Sequence, residues 1–131
     1  MSLIEKYEAI PYWKLIGIKV GSLEENSARI QLKIHDDLLN GNNILHGGVV
    51  TTFLDAVMGI NLKLNIGEAN YATISLTTQF LKAVKQGETI YATAERVHTG
   101  RSIASMEGRI FNQNGDLIGV GLGSFKISQP K

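Results

Sequence analysis

One carboxylate, Asp55, stands alone in the apolar run His46-Gly47-Gly48-Val49-Val50-Thr51-Thr52-Phe53-Leu54-Asp55-Ala56-Val57-Met58-Gly59-Ile60. No other residue between His46 and Asn61 carries a fixed charge. A helix that is apolar nearly all round belongs in a core. An ionised carboxylate buried there is costly unless hydrogen bonds or a raised pKa relieve it. Such a cost is usually tolerated for chemistry, which makes Asp55 the first candidate for acid–base or nucleophilic work. Exposure to a solvent channel, or a bond to nearby backbone, is the bland alternative.

The elements that must position Asp55 emerge from periodicity and turn residues. Residues 3 to 15 read as a short helix broken near Pro11. Two strand-like runs, Ile16 to Leu23 and Ala28 to Ile34, are joined by Glu24-Glu25-Asn26-Ser27. In the second, Ala28, Ile30, Leu32 and Ile34 alternate with Arg29, Gln31 and Lys33, giving one wet face. A polar loop from His35 to Asn43 leads into the central helix. Further strand runs lie at Ala72 to Lys82, Thr89 to His98, Ser102 to Asn112 and Leu117 to Ile127. Gly100-Arg101 marks a tight turn, and Asn114-Gly115 signals a two-residue type I′ hairpin. The simplest assembly is α+β: a five-stranded antiparallel sheet, including a three-strand meander of the long strands, around one buried helix. The uncovered edge and outer face of such a sheet favour self-association.

With 131 residues and 44% hydrophobic content, the chain has the size and core of one domain spanning residues 1–131. A net charge of +1, with no run of like charges longer than two, gives no case for nucleic acid or an anionic membrane as partner. The absence of cysteine excludes disulfides, thiolate catalysis and cysteine-ligated metals. The start, MSLIEKYEAIPYW, lacks the basic-then-apolar pattern of a signal peptide. The apolar run around Asp55 reads as under 18 residues and too polar to span a bilayer. The expectation is a cytoplasmic protein. His35, His46 and His98 are scattered without paired ligand spacing, so no metal site is expected.

Asn40, Leu45-His46-Gly47-Gly48 and Leu54-Asp55, with the acid nine positions after the histidine, resemble the hotdog-fold thioesterases of the 4-hydroxybenzoyl-CoA thioesterase superfamily, closest to the PaaI-like branch. Gln79-Phe80-Leu81-Lys82, Gly87-Glu88 and Thr99-Gly100-Arg101-Ser102 look like further strand signatures of that family, and the resemblance runs from Trp13 to Ser128. Two positions depart from it. Asn43 stands where glycine is frequent, though asparagine also tolerates the left-handed region. Ala83 stands where proline is common. The resemblance implies a hotdog fold, an antiparallel sheet wrapped round one long central helix, and hydrolysis of acyl- or aryl-CoA to free acid and coenzyme A.

On that footing Asp55 is the catalytic carboxylate, as nucleophile or as general base for water. Backbone N–H groups at a helix start suit the oxyanion of a thioester under attack, and Gly47, supported by Gly48, lets a carbonyl approach closely. Without a ligand, the same glycines make a sterically tight junction. Gly47 and Asp55 are eight residues apart, about 12 Å along a helix axis. One carbonyl cannot touch both, because reacting atoms must come within about 3–3.5 Å. If both serve one thioester, they come from different chains of a two-fold homodimer with two shared sites. By resemblance, Thr73 bonds the water or the carboxylate, and dimers pair again into a homotetramer. Asn40 positions water or acyl group, or else shapes a turn with Leu39 and Gly41. His46 caps the helix or orients the loop.

Phe53, Met58 and Phe80 are candidate acyl-pocket walls. Arg101, Ser102, Lys82 and Lys85 are candidates for the phosphates of coenzyme A. Coenzyme A is part of the substrate, and no separate cofactor is expected. Two alternatives stay open: a hotdog hydratase or dehydratase using His46 against a carboxylate, and a non-catalytic acyl-CoA-binding protein.

Overall fold

A computed structural model describes residues 1–130. The N-terminal segment forms two short helices, α1 (Leu3–Glu8) and α2 (Pro11–Ile16). Ser2 and Glu5 close a capping box on α1, and Pro11 opens α2, where its missing N–H costs nothing. The break at Pro11 is thus where it was expected. Strands β1 (Lys19–Glu24) and β2 (Ser27–Lys33) form the first hairpin, and a 3₁₀ turn at Asp36–Leu38 precedes helix α3 (Gly47–Ile66). Then come β3 (Asn70–Phe80), β4 (Thr89–Thr99), β5 (Ile103–Phe111) and β6 (Leu117–Ser128).

The sheet has six antiparallel strands in the order β1-β2-β4-β5-β6-β3, not five. The meander is β4-β5-β6. The first long strand, β3, stands outside it on the far edge, paired only with β6. The reason lies in the connection between β3 and β4. Val84 is buried there and its carbonyl accepts from Leu45 N at 2.7 Å, while Gly87 N donates to Ile34 O at 2.8 Å. Tied to the loop before α3 and to the end of β2, the chain after β3 is drawn from one edge to the sheet centre. A tight β3–β4 hairpin is ruled out by those bonds.

Helix α3 packs on β2, β3, β4, β5 and β6. Its approach to the sheet is close because glycines line the strands beneath it. A Cβ added at Gly121 would lie 3.0 Å from Leu54 Cδ1, and one at Gly108 would lie 3.1 Å from Leu54 Cδ2. Phe53, Leu54, Val57, Met58 and Ile60 are fully buried with Ile30, Leu32, Ile90, Met106 and Phe125. Asn61, also buried, holds the helix to β2: its Oδ1 accepts from Ala28 N at 2.9 Å and its Nδ2 donates to Ala28 O at 2.9 Å. At 20 residues α3 is longer than the expected apolar run, and by length and composition it could cross a membrane. Here it is the core helix of the sheet.

Two local expectations are resolved at loops. Asn43 does take the left-handed conformation, φ 60°. The Asn114-Gly115 hairpin is not a two-residue type I′ turn, since only Gly115 has positive φ, 83°. Asn112 instead accepts from Asn114 N and Asp116 N through Oδ1, both at 2.9 Å, and spreads the turn.

Candidate active site

Residues four apart on a helix share a face, so Gly47, Thr51, Asp55 and Gly59 form one stripe along α3. The stripe runs along β3. A Cβ on Gly47 would lie 3.3 Å from the Phe80 ring, Thr51 Oγ1 donates to Thr78 Oγ1 at 3.3 Å, and a Cβ on Gly59 would meet the Tyr71 hydroxyl. Between these, Thr73 Oγ1 donates to Asp55 Oδ1 at 2.9 Å. Simple alternation along β3 cannot give this set, because 71 and 73 are odd while 78 and 80 are even. A bulge at Ile74 reverses the parity, Thr73 pairing with Phe125 and Ser75 with Ser124. An extra residue in a strand re-aims the side chains beyond it, and here it keeps both halves of β3 turned to the helix.

Asp55 is half-buried. Burial raises its pKa above the ordinary carboxylate value, and the Thr73 hydrogen bond works against that rise. Of its two oxygens, Oδ1 is held by Thr73, and Oδ2 accepts no hydrogen bond from any described residue. A carboxylate raised in pKa, fixed through one oxygen and open at the other, suits proton transfer.

At the start of the stripe, His46 is the N-cap of α3 and its Nδ1 accepts from Gly48 N at 2.8 Å. The Gly48 amide is therefore occupied. His46 O takes the N–H groups of Val49 and Val50. Gly47 N alone in this first turn donates to no described residue, which singles it out as the open donor at the positive end of the helix dipole. Gly47, Asn40, Ile44, Phe80, Lys82 and Val84 are among the residues lining a cavity of about 340 Å³. Asn40 shapes its loop through Oδ1, which accepts from Asn42 N at 2.9 Å and Ile44 N at 3.3 Å. Only the amide oxygen can accept those bonds, so the two Nδ2 protons remain for the cavity. The turn role and the positioning role of Asn40 are thus compatible.

The remaining candidates divide. Phe80 borders the cavity, 59% exposed. Phe53 and Met58 do not line it: both are fully buried in the core, because they lie off the stripe that faces β3. Lys82 pairs with Asp116 at 2.7 Å and holds that carboxyl below its ordinary pKa. Arg101 and Ser102 are exposed on the β4–β5 turn. Lys82 N donates to Ile118 O, whereas Ile103 pairs with Lys126, so the two groups mark opposite ends of β6. Eight residues of strand separate them by about 26 Å, and within one chain they do not converge. His35, Asp36 and Asp37 bring ligand-type atoms within 4.8 Å of one another at the surface, with His35 Nε2 already 3.0 Å from Ile16 O.

Sequence reading missed the aromatic hydroxyls along α3. Tyr71 and Tyr7 share a hydrogen bond of 2.8 Å, and Tyr12 and Thr52 share one of 2.9 Å. Period two from Thr73 and period four from Asp55 would have pointed to Tyr71 and Gly59. Nothing local in the sequence signals Tyr7 or Tyr12.

Comparison with known proteins places the chain by family and fold. A family model described as the thioesterase superfamily matches residues 42–118, from the Asn40 loop through the start of β6. The acyl-coenzyme A thioesterase PaaI of Escherichia coli is 29% identical over 107 residues, covering 82% of this chain and 75% of PaaI. Its structure superposes with a TM-score of 0.85 at 23% identity, over 97% of this chain and 89% of PaaI. Thioesterase HI1161 of Haemophilus influenzae superposes at 0.89 with 16% identity, over 98% and 92% of the two chains. A hypothetical thioesterase of Streptococcus pneumoniae, solved with coenzyme A, gives 0.77 at 22% identity over 87% and 88%. These neighbours share the hotdog fold expected for this chain, and the matched family model makes the protein a member of the thioesterase superfamily.

Proposed function

We propose that this protein hydrolyses acyl-CoA thioesters at sites shared between two copies of the chain. One observation carries the proposal. Asp55 and the open Gly47 amide sit on the same helix face, against opposite halves of β3, a strand with one unpaired edge. A two-fold axis near the middle of β3 would set residues 70–73 of one copy beside 77–80 of the other. Asp55 would then face the partner's Gly47 across the shared seam, twice per dimer. The same axis would bring the partner's Arg101 turn to the Lys82 end, reuniting cations that one chain holds apart. The acyl-CoA assignment is supported by PaaI, whose name gives that activity, and by the Streptococcus pneumoniae structure with coenzyme A.

In this scheme the thioester carbonyl accepts from the partner's Gly47 N–H, with Asn40 Nδ2 beside it. Asp55 Oδ2 takes a proton from water while the water oxygen bonds the carbonyl carbon. The tetrahedral oxyanion collapses, the C–S bond breaks, and Asp55 returns the proton to the leaving sulfur. The products are a carboxylic acid and free thiol. Thr73 keeps the carboxylate aimed throughout. His46 is committed to its cap through Nδ1, so the base role goes to Asp55 and not to His46, which weighs against the hydratase alternative.

Mixing tests both chemistry and sharing. Asp55→Ala and Gly47→Val should each lower thiol release from acyl-CoA by about 10²–10⁴-fold. After subunit exchange at equal ratio, half the dimers are mixed and each carries one intact site, so about a quarter of wild-type activity should return. Full activity in Asp55→Ala would remove the acid from the mechanism. No recovery in demonstrated heterodimers would remove the sharing.

A further inference from the structure

The substrate's two ends meet different surroundings. Resting on the acyl-CoA reading above, the thiol end belongs to the cavity around the partner's Gly47, Asn40 and Lys82. The acyl group then extends from the carbonyl along the other copy's α3, past Asp55 toward Gly59. There the seam between α3 and β3 is shut by aromatic side chains. Tyr71 lies on the helix-facing side of β3, two residues before Thr73. Its hydroxyl rests over Gly59, where an added Cβ would come within 3.2 Å of three atoms of the ring and hydroxyl. Behind it stands Tyr7, 8% exposed, bonded to Tyr71 at 2.8 Å and packed on Trp13 with ring centroids 5.2 Å apart. Tyr71 also packs edge-on against buried Phe125, centroids 5.9 Å apart. It is anchored on three sides.

We infer that the Tyr71–Tyr7 hydroxyl pair is the end wall of the acyl slot and limits this enzyme to short or single-ring acyl groups. The length is set by the helix. Asp55 and Gly59 are four residues apart, about 6 Å of axial rise, so the wall stands one helical turn beyond the acid. One ring or a chain of a few carbons fits that span; a long-chain acyl group does not. Tyr71 is held in place by its bond to a residue from the N-terminal helices, so α1 takes part in setting specificity although it carries none of the reacting groups. Glycine at position 59 is required because any side chain there would push the Tyr71 hydroxyl aside. Disrupting the pair lengthens the slot. A methyl added at Gly59 displaces the same hydroxyl and acts in the same direction.

The test is a series of straight-chain acyl-CoAs from acetyl to palmitoyl, with benzoyl and phenylacetyl, assayed by thiol release with wild type, Tyr71→Val, Tyr7→Phe and Gly59→Ala. Wild type should peak at short or single-ring substrates. Tyr71→Val should raise the long-to-short ratio of kcat/KM by about tenfold or more, the scale of a methylene or two in an apolar pocket. Tyr7→Phe, which keeps the ring and loses the bond, should shift the ratio in the same direction by less. Gly59→Ala, which displaces the Tyr71 hydroxyl, should also raise it. The ratio within one variant separates specificity from stability, because partial unfolding lowers every substrate alike. Proportional losses across the series, or a wild type that prefers palmitoyl-CoA, would overturn the end wall while leaving an Asp55-dependent hydrolase standing. A wild type inert toward every acyl-CoA would overturn the functional proposal and the wall with it.

Discussion

The sheet has two edges, and they are built differently. Edge β1 has six residues, with Lys19 at one end, Glu24 at the other and a bulge at Gly21. Part of its backbone is covered, since Glu8 Oε2 on α1 accepts from Val20 N at 2.8 Å. Edge β3 has eleven residues and no charge or proline, and leaves Ile74 and Phe80 more than half exposed. Charges, bulges, short length and covering elements are how proteins prevent edge-to-edge pairing. Strand β1 uses all four; β3 uses only a bulge, and that bulge aims side chains at α3. The open edge is also the one that carries Thr73, Tyr71 and the ring against Gly47. In the proposed dimer, assembly and chemistry would thus meet on one strand.

The sharpest way to break that contrast is to put the same lysine on each edge. In the proposed dimer Ser75 lies near the two-fold axis and almost faces its own copy, so Ser75→Lys would set like charges side by side. Light scattering should show the particle mass halved, and thiol release should fall by about 100-fold or more, the scale of losing an oxyanion donor. Ser22→Lys on β1 should leave mass unchanged and activity within about twofold, as for most surface substitutions. An associated, active Ser75→Lys would show that β3 is not the shared edge.

Much of this contrast is legible in the chain itself. The isolated acid at Asp55, the alternation of Ala28, Ile30 and Leu32, and the tolerance of Asn43 for positive φ are local facts, and local physics fixes them. The features that escape a sequence reading are non-local. The edge position of β3 depends on bonds from Val84 and Gly87 to residues far back in the chain. The burial of Phe53 and Met58 depends on which helix face meets the glycines of β5 and β6. The parity switch at Ile74 depends on register with Phe125 and Ser124, which no alternation rule contains. Tyr7 reaches Tyr71 across 64 residues of sequence. Site chemistry is readable where a helix period carries it, and unreadable where sheet order does.

A smaller effect sharpens the role of the open edge in tuning the acid. The Thr73 hydroxyl lowers a pKa that burial raises. Thr73→Val removes the lowering influence, so the acid limb of kcat/KM against pH should move to higher pH. Wild type should already show that limb above the ordinary carboxylate value of 3.8. With aim lost as well, the plateau should fall by about tenfold. An unmoved limb would mean that Thr73 does not govern the proton on Asp55, whatever happens to the rate.

The smallest effect concerns stability, and its sign opposes that of activity. A carboxyl whose folded pKa is raised binds its proton more tightly in the native state than in the unfolded one. Stability must then decline as pH rises from the unfolded value through the folded one. Asp55→Asn removes that penalty. Because the side chain is only half-buried, the gain at neutral pH should be modest, on the order of 3 °C in Tm at fixed protein concentration. Below the ordinary carboxylate pKa the two proteins should melt together, since both then carry a neutral group. The gap should open across the same pH range as the acid limb of activity, because one proton on one oxygen governs both. A Tm gap that stays constant down to low pH would mean that the asparagine acts through packing and not through charge. The acid on the β3 seam would then be held at no electrostatic cost to the fold.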